Sequence, residues 1–496
     1  MSFRLLPCHW WKGLHRNTRN VLQLGIGFFF IFLAFNSQGF IEESVLDSFS
    51  PETVPKHAGY TRHNGAREGL CIIYASFTVL NFVAPPIIKC IGTRTSLVLA
   101  GCTYVFFLTG FLFINSFFLY FSSALLGLGA AVIWTAQGKY LTLNSSEQTA
   151  GKHSSLFLAL TQACLSCGGL FLLAVFRATD SSPPSSSETP LVNSSSSDFS
   201  PSFDRPTIKL IYGSFTGIAL LGVAVLAFLP PSRTKAKVGD VNVKDEKGLE
   251  ELEMKMGGEE HRKNAIDQEE GALDQIKSIF KLAASRKMVA LAFVFGYTGI
   301  LLSFWSSIFP TALINTLQLR SQFSPKILIA LNAIFKGIGQ PLLSALFGWF
   351  RLDRVKRSRL VFVGMLLHLV AFALTFLILP NETPLGQTNE TAVIRPSVVI
   401  ALFCGFLLSF GDAFWTTQIF SFLITNYSNR SAESFALFKF YQSLLTCFLF
   451  YLSGHLLLHW HLLILFSSAI IGYLAFVVAE KLEEKERKAF GATGHN

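Results

Sequence analysis

The chain has 496 residues, of which 51% are hydrophobic, 14% aromatic and only 15% charged, against roughly 25% charged in an ordinary soluble domain. Its formal charge of +10 would suit a nucleic-acid binder only if the basic residues shared one soluble face. They fall between apolar runs instead, so the composition argues against a soluble enzyme or a nucleic-acid partner and for the membrane.

In chain order, residues 1–20 form a basic leader with Arg4, Lys12, Arg16 and Arg19, and Trp10 and Trp11 suit a membrane interface. No signal-peptide pattern precedes LQLGIGFFFIFLAFNSQGF, which is long enough to cross a hydrocarbon core of about 30 Å. Apolar segments of spanning length cover about 21–41, 69–90, 96–116, 118–141, 154–176 and 207–230. A second set covers 287–311, 325–350, 359–380, 394–424, 431–453 and 460–480. In lipid every backbone polar group must be satisfied internally, so such runs are helices or a closed barrel. Barrel strands would alternate over about ten residues; these runs are continuous and longer. The expectation is an all-α polytopic protein with twelve transmembrane helices in two six-helix bundles. A cytoplasmic leader occupies 1–20, the first bundle 21–230, a charged cytoplasmic linker 231–286, the second bundle 287–480 and a cytoplasmic tail 481–496. The linker is expected to form an amphipathic helix near its end.

Two chemically unrelated signals give orientation. With a cytoplasmic N-terminus, Lys89, Arg94, Lys139, Lys152, the linker, Arg351, Arg354, Lys356, Arg357, Arg359 and Arg430 all face the cytoplasm, as the positive-inside rule requires. Asn193, Asn381 and Asn389 lie in glycosylation sequons on the opposite side, whereas the sequons at Asn144, Asn426 and Asn429 face inward and are expected to be bare.

Ionisable side chains at membrane depth are costly and raise functional questions. Lys336, Asp412 and Lys439 qualify, with Glu433 less deeply placed. Asp412 is too short to snorkel from mid-span, while Lys439 can reach either the interface or the interior. An Asp412 pair with Lys439 is one reading. Another is a proton-exchanging Asp412 in a solute or ion path, since burial favours the neutral form of a carboxyl group. Gln137, Gln418 and Gln442 are further polar candidates, as ligand contacts or as interhelical hydrogen bonds worth about 0.6 kcal/mol on average. Cys164 and Cys167 have redox spacing, but in so apolar a run they read as core packing. No catalytic, cofactor or metal constellation is legible: HExxH, GxSxG and phosphate-loop patterns are missing, and the histidines of GHLLLHWHLL lack acidic partners.

The loop GWFRLDRVKRSR, from Gly348 to Arg359, resembles the G-x-x-x-D-R-x-x-R-R loop of the major facilitator superfamily. Gly348 is expected to permit close helix approach and Asp353 to cap a helix or pair across the interface. VIWTAQGKYLTLNS (132–145), GDAFWTTQ (411–418) and FALFKFYQS (435–443) are similar to the uncoordinated-93-like branch of that superfamily. The long leader, the first outside loop and the Ser-rich insert around 180–200 depart from its pattern. The resemblance implies a transporter fold without an assured transport activity. It also implies a multi-pass protein in lipid, at the plasma or endolysosomal membrane, whose partner is either another membrane protein (a channel or receptor) or a small solute. The alternative is a secondary transporter using the interior polar residues. Within VIWTAQGKYLTLNS, Trp134, Lys139 and Tyr140 suit the cytoplasmic interface; Gly138 is expected to permit close packing and Gln137 to need a partner.

Overall fold

The computed structural model describes residues 14–47, 65–112, 116–180, 205–230 and 271–493. Helices dominate it. The first half comprises α1 (Arg16–Asp47), α2 (Gly65–Leu80), α3 (Ala84–Ile91), α4 (Thr93–Gly110), α5 (Ser116–Leu143), α6 (Ala150–Asp180) and α7 (Arg205–Ala227). A linker helix α8 (Ala272–Ala283) follows. The second half comprises α9 (Arg286–Ser303), α10 (Phe309–Asn315), the single turn α11 (Leu317–Arg320), α12 (Pro325–Phe350), α13 (Arg357–Ile378), α14 (Val398–Asn426), α15 (Ser431–Leu452) and α16 (Leu458–Thr493).

Ten of these segments are long and apolar enough to cross a membrane, and α2 with α3 makes an eleventh when its two halves, bent by 65°, count as one span. The bend has a local cause. Pro85 and Pro86 open α3 and supply no N–H to continue α2. The remaining expected segment is α4, which is helical but opens on the polar run Thr93, Arg94, Thr95 and Ser96; it packs between α5 and α7.

Within the first half α1 lies on α6 and α7, and α5 lies on α2 and α4; within the second, α14 lies on α12 and α13, and α9 on α15 and α16. The halves meet along α6–α12 and where α15 crosses α2 and α5. Small residues set the α6–α12 approach. A Cβ on Gly337 would come within 2.3 Å of the Ser166 backbone nitrogen, and one on Gly169 within 2.7 Å of the Ala330 carbonyl. Such contacts are the usual basis of close helix packing in lipid.

One end of the bundle gathers the basic loops. Asn20 on α1 donates to Asn144 beyond α5 at 2.8 Å, Tyr140 donates to the Pro230 carbonyl at 3.0 Å, and Arg94 caps α7 at the Ala227 carbonyl. Gly92, between α3 and α4, has φ +81°, a conformation that penalises a side chain. The long α16 continues past this end and carries Glu480, Glu483, Glu484 and Glu486 against Lys287, Lys356 and Arg357. Arg487 on the same helix bonds Glu147 between α5 and α6 at 2.6 Å, so the pair joins the two halves. The expected amphipathic helix is α8, whose Phe280 stacks on Phe82 at 5.0 Å while Ser278 accepts from Arg430. Glu433 also belongs here, paired with Arg430 at 2.5 Å, and is therefore interfacial.

Two expectations for GWFRLDRVKRSR are corrected. A Cβ on Gly348 would meet nothing within 4 Å, so no helix among the described residues approaches it. Arg351 ends α12 in the left-handed region at φ 50°, which turns Asp353 out to solvent; among the described residues it caps no helix and makes no ion pair. The loop is held by Lys356 and Arg357. At the other end, Asn315 donates to the Thr383 carbonyl and Leu458 to the Asn381 carbonyl. Asn381 and Asn389 are exposed there, whereas Asn144 is buried; Asn193 lies outside the described residues.

Candidate functional site

A cavity of about 320 Å³ lies between the halves, and Lys336, Asp412, Lys439 and Gln442 all line it. Gln137 and Gln418 are buried elsewhere. The first half supplies Asn36, Gln38, Tyr104 and Trp134 to the wall, and the second supplies Thr298, Trp305, Ser306 and Asn332.

Lys439 is turned inward. Its Nζ donates to Gln442 Oε1 at 2.8 Å, one turn along α15, and Gln442 in turn donates to Thr298 Oγ1 on α9 at 3.2 Å. The ammonium also lies 4.3 Å from the centre of the Trp134 ring, across the interface between halves. A desolvated cation over an indole gains about 2 kcal/mol. Trp134, an interface anchor on sequence grounds, is thus a partner of Lys439. Asp412, on α14, lines the same cavity as Lys439, but the two form no ion pair within 4 Å, so of the two readings the sequence offers for Asp412 the direct pair is not formed.

Lys336 has a different environment, created by a break in helix register. Between α9 and α10 the chain makes a π-helical turn over Phe304–Ile308, in which the Phe309 N–H bonds the Phe304 carbonyl five residues back. In a regular α-helix that N–H would serve Trp305; in π register the donor to Trp305 would be residue 310, which is Pro310 and has no N–H. The Trp305 carbonyl is therefore released, and Lys336 Nζ donates to it. The same ammonium lies 5.2 Å from the Trp305 ring centre and 5.7 Å from that of Phe309. Lys336 is buried, and among the described residues it has no carboxylate partner. One turn earlier on α12, Asn332 faces the cavity with its Oδ1 unpaired.

Toward the basic end an aromatic layer closes the cavity. Phe28 packs edge-on to Trp134 and Phe157, Phe157 stacks with Phe420 at 6.4 Å, and Phe420 meets Phe435 edge-on at 5.1 Å. Gly138 seals it, as expected for close packing: a Cβ there would fall 2.2 Å from the Phe435 ring. Gln137 departs from expectation. It is fully buried and neither amide atom has a hydrogen-bond partner among the described residues. Gln418 likewise leaves its Nε2 unpaired.

Sequence reasoning passed over Tyr297 and His368. His368 Nε2 lies 3.0 Å from the Leu408 carbonyl, which can only accept, so Nε2 carries the proton and Tyr297 donates to Nδ1 at 2.5 Å. The lone His within FVGMLLHLVAF was the available signal. The π turn was foreshadowed by Pro310 alone. Asn36 lines the cavity and donates to Cys164 Sγ at 3.3 Å; Cys164 is buried as core packing requires, whereas Cys167 is exposed, which corrects that expectation for it.

Two packed halves around a central cavity define a multi-pass membrane protein of the major facilitator type. Solved structures with this architecture include a proton:xylose symporter, XylE (TM-score 0.56, 12% identity, 94% of each chain covered). FucP in an outward conformation (0.58, 12%, 94% of this chain and 99% of that one) and the human organic anion transporter MFSD10 (0.55, 14%, 94% and 100%) are similar. The chain belongs to the UNC-93 family: the family profile described as "Ion channel regulatory protein UNC-93" matches residues 50–477. Among its relatives, the UNC93-like protein MFSD11 of Xenopus tropicalis is 34% identical over 94% of this chain and 96% of its own. Protein unc-93 homolog A of Homo sapiens is 25% identical over 95% of each.

Proposed function

We propose that this protein carries a small solute across a membrane, by exposing the central cavity to each side in turn as its halves rock, and that it has no catalytic role. The observation behind this reading is that Lys336, Asp412 and Lys439 face a shared cavity and, among the described residues, are not locked in direct ion pairs. A purely structural polar core would be expected to close its charges on one another. In this reading 21–230 and 287–480 are the moving halves, 231–286 tethers them, and the leader 1–20 and tail 481–496 lie with the basic end in the cytoplasm. Asn193, Asn381 and Asn389 are then glycan acceptors outside, and a mass shift on deglycosylation that persists in the triple Asn→Gln variant would refute this orientation.

The test is purified protein in liposomes, with a broad panel of solutes and ions. Flux that disappears in Asp412→Asn and Lys439→Met, with the melting transition retained, is the expected result; flux indifferent to both substitutions would sink the reading. A second reading, a regulatory subunit bound to another membrane protein such as a channel or receptor, is favoured by the family's description as ion channel regulatory. It predicts a reproducible partner in proximity labelling, retained when the cavity residues are changed, and no flux.

A further inference from the structure

Resting on the transport reading, we infer that the cavity selects a small organic monoanion, its carboxylate at Lys336 and its apolar body against the aromatic wall. The charges lining the cavity favour an anion. Two lysines and one aspartate line the cavity, and among the described residues no carboxylate pairs with Lys336 within 4 Å, so one positive charge is left over. A single negative charge completes the set, whereas a cationic solute would add to an excess already buried.

Donor capacity at Lys336 agrees. An ammonium has three N–H donors and no acceptor. Among the described residues the only oxygen bonded to Lys336 is the Trp305 carbonyl, freed by the π turn and Pro310, which anchors the side chain and leaves donors unused. Carbonyl and aromatic faces hold a cation in place but do not neutralise it. Asn332, a turn away on the same helix face, lines the cavity with its amide oxygen buried against Gly405, so its N–H donors are the atoms left to meet a bound carboxylate. The remaining wall fits the rest of such a solute. Tyr104, Trp134 and Phe438 suit a flat or apolar body, and a cavity of about 320 Å³ admits a small carboxylic acid.

The experiment uses full-length protein in nanodiscs and matched sets that differ only in the head group: benzoate, phenylacetate and indole-3-acetate, each beside its amide and the corresponding amine. Binding is read by calorimetry and by the shift in melting temperature. At least one carboxylate is expected to bind ten-fold or more tightly than its amide and amine. That preference should fall at least ten-fold in Lys336→Gln, recover in part in Lys336→Arg, and weaken in Asn332→Ala, a variant that keeps the cation. Amides or amines binding as well as carboxylates would overturn the anion assignment while leaving a solute site. Carboxylate binding unchanged in a folded Lys336→Gln would overturn the placement. No carboxylate binding at all also overturns the proposal, and the transport reading falls separately, only if the flux panel is silent as well.

Discussion

The cavity and the basic end hold the same kinds of charged residue in opposite arrangements. At the basic end, opposite charges meet directly: Lys287 with Glu486 at 2.5 Å, Lys356 with Glu484 at 2.7 Å, and Arg487 with both Glu147 and Glu483. In the cavity the charges lean on carbonyl, amide and aromatic groups, and among the described residues Lys336 has no anion. Exposed pairs cost little and contribute little, about 0–1 kcal/mol each, whereas an unmatched charge at membrane depth is costly. The difference teaches where the fold forgoes stability. Between the two regions lies the aromatic layer, and it keeps them apart only while α5 and α15 stay in contact.

Breaking that contact should have the largest effect. Gly138→Val places side-chain atoms where the Phe435 ring stands, and that ring is fully buried and cannot swing clear. Overpacking of this kind costs about 1–3 kcal/mol, visible as a lowered melting temperature. It should also part the halves, so that cysteines introduced at cavity positions become reactive from the basic end. A variant that melts like the parent and stays closed would show that the seal lies elsewhere.

The second prediction sharpens the contrast in charge. Lys336→Met removes a desolvated cation and fills the space with an apolar chain of similar length, losing the bond to the Trp305 carbonyl and the cation contacts with the Trp305 and Phe309 rings. Since apolar replacement of buried ionic groups is often stabilising by about 1–4 kcal/mol, the melting temperature should rise even as solute binding is lost. A clear fall would mean that Lys336 is chiefly a structural tie between α12 and the π turn.

The architecture was legible because lipid forces backbone satisfaction into each segment, so long apolar runs at Gly25–Leu33 or Leu360–Leu377 have few alternatives to helix. The membership of Lys336, Asp412, Lys439 and Gln442 in one site was partly legible from the cost of burying them. How they are arranged was not. Trp134 looked like an interface anchor because Trp favours interfaces, and only the α5–α15 crossing brings it under Lys439. Asp353 looked like a cap because it matches a loop pattern, but the left-handed Arg351 sends it into solvent and hands its role to Lys356 and Arg357. Gln137 was expected to find a partner since buried amides usually do; its amide is buried without one among the described residues, an outcome of tertiary packing that one segment cannot reveal.

The smallest effect concerns the ion pairs themselves. Glu147 and Arg487 are each about half exposed, with side-chain exposures of 55% and 52%, yet they alone among the described ion pairs join the two halves. A double-mutant cycle with Glu147→Gln and Arg487→Gln should give a coupling of about 0–1 kcal/mol, most of it lost in 1 M salt, where the screening length falls to roughly 3 Å. Arg487 also bonds Glu483 at 3.0 Å, so the single Arg487 variant should cost more than the single Glu147 variant. Alkali provides an independent approach. The hydrogen bond from Lys356 to Glu484, then the nearby Glu480, hold the Lys356 ammonium above its ordinary pKa. A raised pKa in the folded state gives a contribution present below the unfolded value and lost as pH rises through the folded one, so this end should keep its pairs at neutral pH and loosen only above about pH 10. If flux then becomes faster while the cavity still binds its solute, the matched charges at the basic end act as a brake on opening. If opening is indifferent to salt, to alkali and to the Glu147 variant, the aromatic layer with Gly138 closes that end by packing alone.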